Sequence, residues 1–451
     1  MSTSKMKGVE DSLLPTPSEK RALPVGVYLF TLFGAGVAIQ GFVLGAFTLP
    51  PAGPLNITQA VVAILIVGAV MGAAFSFNGT LGLRTGIPFA IQSHYSFGRW
   101  GGIWPQLLRA LPAIFWLGIG TWIGALAANG LTTELFGWGN VYIYFVILTI
   151  IQAIISWWGI RGIGYISSVM GVALVAMFIY FLVAIFQTRT LELQEAWLAA
   201  GSWGLPFIAV ISTLLAVQVT GFINIGDLTR HLKPQTQRTN FLANYLSFPI
   251  GYLFILFMGI ITAAIVMVAD PVEALMAIAP STGMGLALLF FVFFAQFTTN
   301  TAYNILPPAL VLQDIFKKLS WRWGVGITCA LSLATFPWVL LTSTWFFPFV
   351  NYIGAFLAPV VVVLLFDYWG GLHRLDVKEI LDQFYGERRK KHFRGVSFDG
   401  IIAVIIGGIV GIVFLQYSTF ASAAAAVIAY PILRAIGIDE RLRRSNPQSL
   451  Y

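Results

Sequence analysis

Apolar runs of about 17–25 residues, each long enough to cross a hydrocarbon core as a helix, recur along nearly the whole chain, and this repetition constrains the fold more than any other feature. Their approximate spans are 26–48, 57–77, 104–130, 140–158, 164–186, 205–225, 240–269, 284–304, 323–342, 345–368, 398–415 and 418–437. In lipid the backbone must satisfy its own hydrogen bonds, so only helices or a closed barrel can span it, and barrel strands would show alternating polarity instead. Of 451 residues, 58% are hydrophobic and 10% charged, with a mean hydropathy of +0.84. Too few polar side chains remain to coat a globule in water. The expected fold is an all-α integral membrane protein with about twelve transmembrane helices.

The polar segments set the organisation. Residues 1–25 are rich in Pro, Ser and mixed charge and read as a flexible N-terminal tail, and 438–451 as a C-terminal tail. Between the ten-helix core (26–368) and two extra spans (398–437) lies a polar connection, 369–397, holding GERRKKHFR. It reads as a solvated basic loop near anionic headgroups rather than a nucleic-acid contact. With the spans placed as above, Lys5, Lys7, Lys20, Arg21, Arg84, Arg99, Arg161, Arg230, Lys233, Arg238, Lys317, Lys318, Arg322, the 374–394 loop and Arg434 share one side. Glu134, Glu192, Glu195, Asp270 and Glu273 lie on the other, with Arg189 the exception. Positive-inside bias then puts both termini in the cytoplasm of a multi-pass cell-membrane protein. Arg109 is expected to snorkel from the start of its helix.

No Asp, Glu, Lys or His falls near the middle of a predicted span, so whatever crosses is expected to be handled without buried charge. His94, His231, His373 and His392 all fall in the cytoplasmic connections and Cys329 is alone, which leaves neither a metal cluster nor a disulfide framework. The Gly120-x-x-x-Gly124 spacing within GIGTWIG is that of close helix packing, not of a phosphate loop. H-E-x-x-H and G-x-S-x-G are both absent, which argues against an intramembrane enzyme.

Against this background AQFTTNTAYNILPPAL, Ala295 to Leu310, stands out at the end of an apolar run. On a helix Ala295, Thr298 and Thr299 share one face, and Asn300 and Asn304 another, before Pro307 and Pro308 end it. Two readings are open. The threonines back-bond to their own helix while the asparagines join helices, or hydroxyls and free carbonyls together cage a hard cation such as sodium. Free carbonyls need broken helices, and two spans look breakable. Gly34, Gly36, Gly41 and Gly45 surround Gln40 in the first; Thr220, Gly221 and Gly226 follow Gln218 in the sixth. Glycines at corresponding places in two halves mark inverted-repeat transporters, here five helices plus five, about 26–186 and 205–368.

The chain resembles the nucleobase–cation symporter family of cytosine, uracil, allantoin and hydantoin permeases, on residues that run from about Pro24 to the twelfth span. The resemblance rests on GVAIQG in the first span, GIPF followed by Ser96-Phe97-Gly98, FWLGIGTWIGA in the third, Asp227 ending the sixth, TTNTAYN in the eighth and GAFLAPVVVVLLFDYW in the tenth. It implies the fold first known from the bacterial leucine transporter: two inverted five-helix repeats with helices 1 and 6 broken, plus two C-terminal helices. It also implies a sodium cage made by the carbonyls of Gly36, Ile39 and Ala295 and the hydroxyls of Thr298 and Thr299, and an aromatic platform at Trp116 with polar partners Gln40 and Asn304. Two positions depart from the hydantoin-type pattern: Gly120 stands where a substrate-binding Gln is expected, and Gln218 where a second stacking Trp is expected.

The function these readings lead to is sodium-coupled import of a neutral planar heterocycle by alternating access. The substrate would be a nucleobase such as cytosine or uracil, or a cyclic amide such as hydantoin or allantoin. Proton coupling in the same fold is the nearest alternative; a passive channel and a membrane enzyme are the alternatives from other classes.

Overall fold

The computed structural model describes residues 11–158, 175–176, 179–266, 271–385 and 395–438, and these are helical with no strand among them beyond one isolated bridge, Leu23 to Leu232. The chain runs through α1 (Val25–Gly36), α2 (Ile39–Ala46), α3 (Ile57–Thr85), α4 (Phe89–Phe97), α5 (Ile103–Phe136), α6 (Val141–Trp157), α7 (Ile179–Thr188) and α8 (Thr190–Leu198). It continues through α9 (Leu205–Ile223), α10 (Gly226–Thr229), α11 (Gln237–Tyr245), α12 (Phe248–Val266), α13 (Pro271–Ile278) and α14 (Thr282–Thr299). A π-helical turn (Asn300–Ile305) leads into α15 (Leu306–Ile315), followed by α16 (Trp321–Leu333), α17 (Pro337–Thr342), α18 (Phe346–Gly370), α19 (Val377–Tyr385), α20 (Phe398–Val413) and α21 (Ser418–Ala435).

Seven helical stretches among the described residues are long and apolar enough to cross a bilayer, or eight if α1 and α2 form one bent span. The count of twelve is therefore not reached by length alone. Most of the fifth predicted span lies outside the described residues, as does GERRKKHFR. The ninth is divided between α16 and α17, where Phe336 takes a left-handed φ of 46°.

The first span breaks where its glycines allow. α1 ends at Gly36, α2 starts at Ile39, and the two are bent by 46°. A Cβ at Gly36 would sit on the Phe248 carbonyl and 2.9 Å from the Tyr252 amide nitrogen, so glycine lets α1 press backbone to backbone on α12. In the sixth span helix persists through Gln218, Thr220 and Gly221, and the interruption comes at Asn224 and Ile225, beside Gly226. The eighth does not end at Pro307–Pro308. Helix continues to Ile315: the π turn runs directly into α15, whose first turn holds both prolines.

α1 and α2 pack on α12, α14 on α5, and α9 on both α3 and α18, while α20 and α21 close against α18. The segment 11–24, read from composition as a flexible tail, lies across one end of the bundle. Leu13 is 2% exposed, the Ser12 hydroxyl donates to Gln313 at 2.8 Å, and Tyr385 and Arg230 donate to the carbonyls of Leu13 and Ser12, each at 2.8 Å. Arg21 caps the Leu83 carbonyl at the end of α3.

Two electrostatic expectations are corrected. Arg109 does not snorkel: it is 1% exposed and turned inward, because Asn224 and the Tyr303 carbonyl offer it acceptors at 2.8 Å each. His94 is no loop residue. It sits buried on α4, folded back against the bundle, with Nε2 2.6 Å from Asp314, which also accepts from Gln106 at 2.9 Å.

Candidate substrate and ion site

Where α1 and α2 part, they leave a cavity of about 50 Å³ walled by α2, α5, α9, α12, α14 and the π turn. Trp116, Gln40, Gln218 and Asn304 all line it, so four of the five predicted substrate residues meet although they come from four separate spans. Each is 5–7% exposed. The volume is a third of the roughly 150 Å³ in which a benzene-sized ring fits, so the cavity must widen to admit a heterocycle.

The fifth residue, Gly120, is not on the wall but behind it. A Cβ there would overlap the Gln40 amide nitrogen and lie 2.8 Å from Gln296 Oε1 and 2.9 Å from Asn300 Oδ1. Three carboxamides converge on the glycine and already fill the space its missing side chain leaves.

Phe248, Tyr252 and Tyr303 also face the cavity. The Phe248 and Tyr303 rings lie 4.7 Å apart at centroid and add aromatic surface to the cavity besides Trp116, without the sixth-span Trp. Tyr303 was legible as part of TAYN, beside Asn304. Phe248 and Tyr252 carried no signal, because aromatics make up 15% of the chain.

Several polar atoms at this site have no partner among the described residues: Gln40 Oε1, Trp116 Nε1 and Tyr303 Oη, with Gln296 Oε1 just behind. Buried polar atoms are rarely left so unless something transient satisfies them. They offer hydrogen-bond donors and acceptors together, and no charged side chain lines the cavity. Asn304 is held in place by a chain of carboxamides and a hydroxyl: its Nδ2 donates to Asn300 Oδ1 at 2.9 Å, and Asn300 donates to Thr121 at 3.3 Å. Gln152 supports Thr121 at 3.1 Å.

The residues implied for the cation lie beside the break. The Thr299 hydroxyl donates to the Ala35 carbonyl of α1 at 3.0 Å, across to the other helix. That bond uses the hydroxyl proton and leaves oxygen lone pairs for a cation. Gly36 and Ile39 flank the two-residue gap, with the Gly36 carbonyl accepting the Ala38 amide at 2.8 Å, and Ala295 lies one turn before Thr299. The side chain of Thr298 lies outside what is described. A donor set of hydroxyl and carbonyl oxygens without carboxylate suits a hard monovalent ion rather than a transition metal.

A multi-pass bundle with a broken first span and an uncharged cavity at the break has the architecture of a membrane transporter. Residues 15–432 match the family described as permease for cytosine/purines, uracil, thiamine, allantoin, and the chain belongs to that family, the nucleobase–cation symporters. Among its relatives are the hydantoin permease of Microbacterium maritypicum, 27% identical over 332 residues covering 70% of this chain and 67% of that one. The allantoin permease of Bacillus subtilis (strain 168) is 25% identical over 401 residues, covering 79% and 77%. Among solved structures, Mhp1, a nucleobase-cation-symport-1 family transporter in a closed conformation with bromovinylhydantoin bound, superposes with a TM-score of 0.84 at 23% identity, covering 95% of this chain and 96% of that one. Its inward-facing conformation gives 0.80 at 22% identity, covering 98% of each chain. The fold is thus of the leucine-transporter type.

Proposed function

We propose that this permease imports a neutral planar heterocycle, a nucleobase or related cyclic amide, together with sodium by alternating access. One observation carries the coupling: the Thr299 hydroxyl, which lines the same cavity as Trp116, Gln40, Gln218 and Asn304, donates to the Ala35 carbonyl beside the break of α1. An ion held there would tie α14 to α1 and draw the cavity wall together, so ion and substrate affinities would rise together by reciprocity. Trp116 would stack on the ring while carboxamides, which donate and accept at once, read its edge. Sodium entering down about 100 mV and a tenfold gradient releases roughly 3.7 kcal/mol, enough for several-hundred-fold accumulation. Positive-inside bias places both termini in the cytoplasm; a tag near Glu192 should then be cut by an external protease, and one at the C-terminus protected. Protection of the first tag would overturn the orientation.

The test is uptake of radiolabelled cytosine, uracil, allantoin and hydantoin into proteoliposomes with and without a sodium gradient, in the native chain and in Thr299→Ala. Sodium should stimulate uptake at least tenfold in the native chain and hardly at all in the variant, with equal protein recovery. Equal sodium stimulation in both would return the hydroxyl to a packing role. Proton coupling in the same fold would then become the favoured reading.

A further inference from the structure

Pro307 and Pro308 strand a backbone carbonyl, and a buried arginine of another helix takes it up. In a helix of α or π pitch the Tyr303 carbonyl would accept from the N–H four or five residues ahead. Those residues are the two prolines, which have none. Arg109 Nη2 donates to that carbonyl instead, at 2.8 Å, while its Nε donates to Asn224 Oδ1 at 2.8 Å. Asn224 in turn donates to Asp227 Oδ2 at 3.4 Å, and the other oxygen of Asp227 accepts the Phe89 amide at 2.8 Å. One guanidinium thus joins α5 to the π turn and to the interruption after α9, and through Asp227 to the start of α4.

Burying a guanidinium costs several kcal/mol unless every arm is well compensated, and Arg109 Nη1 has no partner among the described residues. A hydrophobic residue would stabilise the packing more cheaply, so the arginine is better explained by what it holds. The residue whose carbonyl it holds and the next one, Tyr303 and Asn304, line the cavity. Their register depends on a bond that their own helix cannot make.

We propose that Arg109 is a positioning residue for transport: by capping the Tyr303 carbonyl it sets where Tyr303 and Asn304 present themselves to the substrate. The inference rests on the reading of the cavity as the substrate site, and its test separates the two. In a Cys329→Ser chain, Asn304→Cys serves as a reporter whose rate of reaction with a small thiol reagent follows the register of that wall. In chains that keep Asn304, equilibrium binding of radiolabelled cytosine, uracil, allantoin and hydantoin is measured.

Arg109→Met should change the labelling rate at least tenfold and weaken binding at least tenfold. Adding Pro307→Ala and Pro308→Ala returns an N–H to the Tyr303 carbonyl and should bring both quantities back within threefold of the native chain; adding Asp227→Asn should not. A native labelling rate in Arg109→Met would overturn the proposal. So would rescue by Asp227→Asn, which would assign the loss to a stranded carboxylate. If Arg109→Met does not fold, recovery of folded protein on adding the two alanines supports the proposal, and failure of the triple variant to fold overturns it. If none of the four compounds binds the native chain while labelling follows the expected pattern, the positioning role is supported and the substrate reading fails.

Discussion

At the scale of single residues, the cavity wall turns on an aromatic ring and on an absent side chain. If Trp116 stacks on the ligand, Trp116→Ala should lose roughly 1–3 kcal/mol of binding, or about 5- to 150-fold. Phe at the same place should keep part of it. Equal affinities in native, Ala and Phe chains would remove Trp116 from the site. Gly120 makes a sharper prediction. Since any Cβ there overlaps the Gln40 carboxamide, Gly120→Ala should push Gln40 toward the cavity and weaken binding at least tenfold. Shortening the displaced side chain by Gln40→Ser in the same chain should recover part of the loss, even though Gln40→Ser alone weakens binding. Additive losses in the double variant would show that the two positions do not compete for space.

At the scale of elements, the break in the first span depends on contact with its neighbour as much as on its own glycines. Gly36 rests on the Phe248 carbonyl and the Tyr252 amide of α12, while Gly251 of α12 allows the reverse approach to α1. Backbone cannot yield as a flexible side chain can, so Gly36→Ala should cost roughly 1–3 kcal/mol as overpacking. It should appear as a lower Tm in detergent and, if the proposed sodium site is right, as weaker sodium dependence, because the carbonyls flanking the break would move with α1. An unchanged Tm would mean that α1 shifts freely on α12. The same dependence on neighbours explains why the sixth span stays helical at Gly221: Gly221 permits a break but does not require one, and the chain instead interrupts where Asn224 is held by Arg109.

At the scale of the whole molecule, the docked N-terminal segment ties together the ends of α3, α10, α15 and α19. It is bridged at Leu23 to Leu232, with the Leu23 amide donating to the His231 carbonyl at 3.1 Å. Burial, and then the positive charges of Arg230 and Arg21, push the His231 imidazole down from 6.5 to about 3. With the segment undocked, His231 therefore binds a proton below about pH 6.5 that it refuses when the segment is docked, so docking is complete above that pH and weakens as pH falls toward 3. Hydrogen exchange of residues 11–24, corrected for the intrinsic rate, should lose protection by up to about tenfold per pH unit below 6.5. His231→Gln should flatten the profile. Constant protection from pH 7.5 to 5 in the native chain would refute this account of the docking.

The sequence by itself determined that the chain lies in a membrane as helices, because hydrocarbon tolerates no other arrangement of runs this apolar. It also marked the first break and three of the cavity residues, Gln40, Gln218 and Asn304, through glycines and carboxamides set where lipid alone would not place them, while Trp116 came from the resemblance to the family. Only the tertiary structure decided what fills the space beside Gly120, which aromatics share the cavity with Trp116, and where Arg109 turns. Each of these depends on which side chains arrive from other helices, and helical periodicity carries no information about that. The two prolines show the division most clearly: their missing N–H groups are written in the sequence, but the arginine that answers the stranded Tyr303 carbonyl lies 194 residues earlier and is brought to it by the fold.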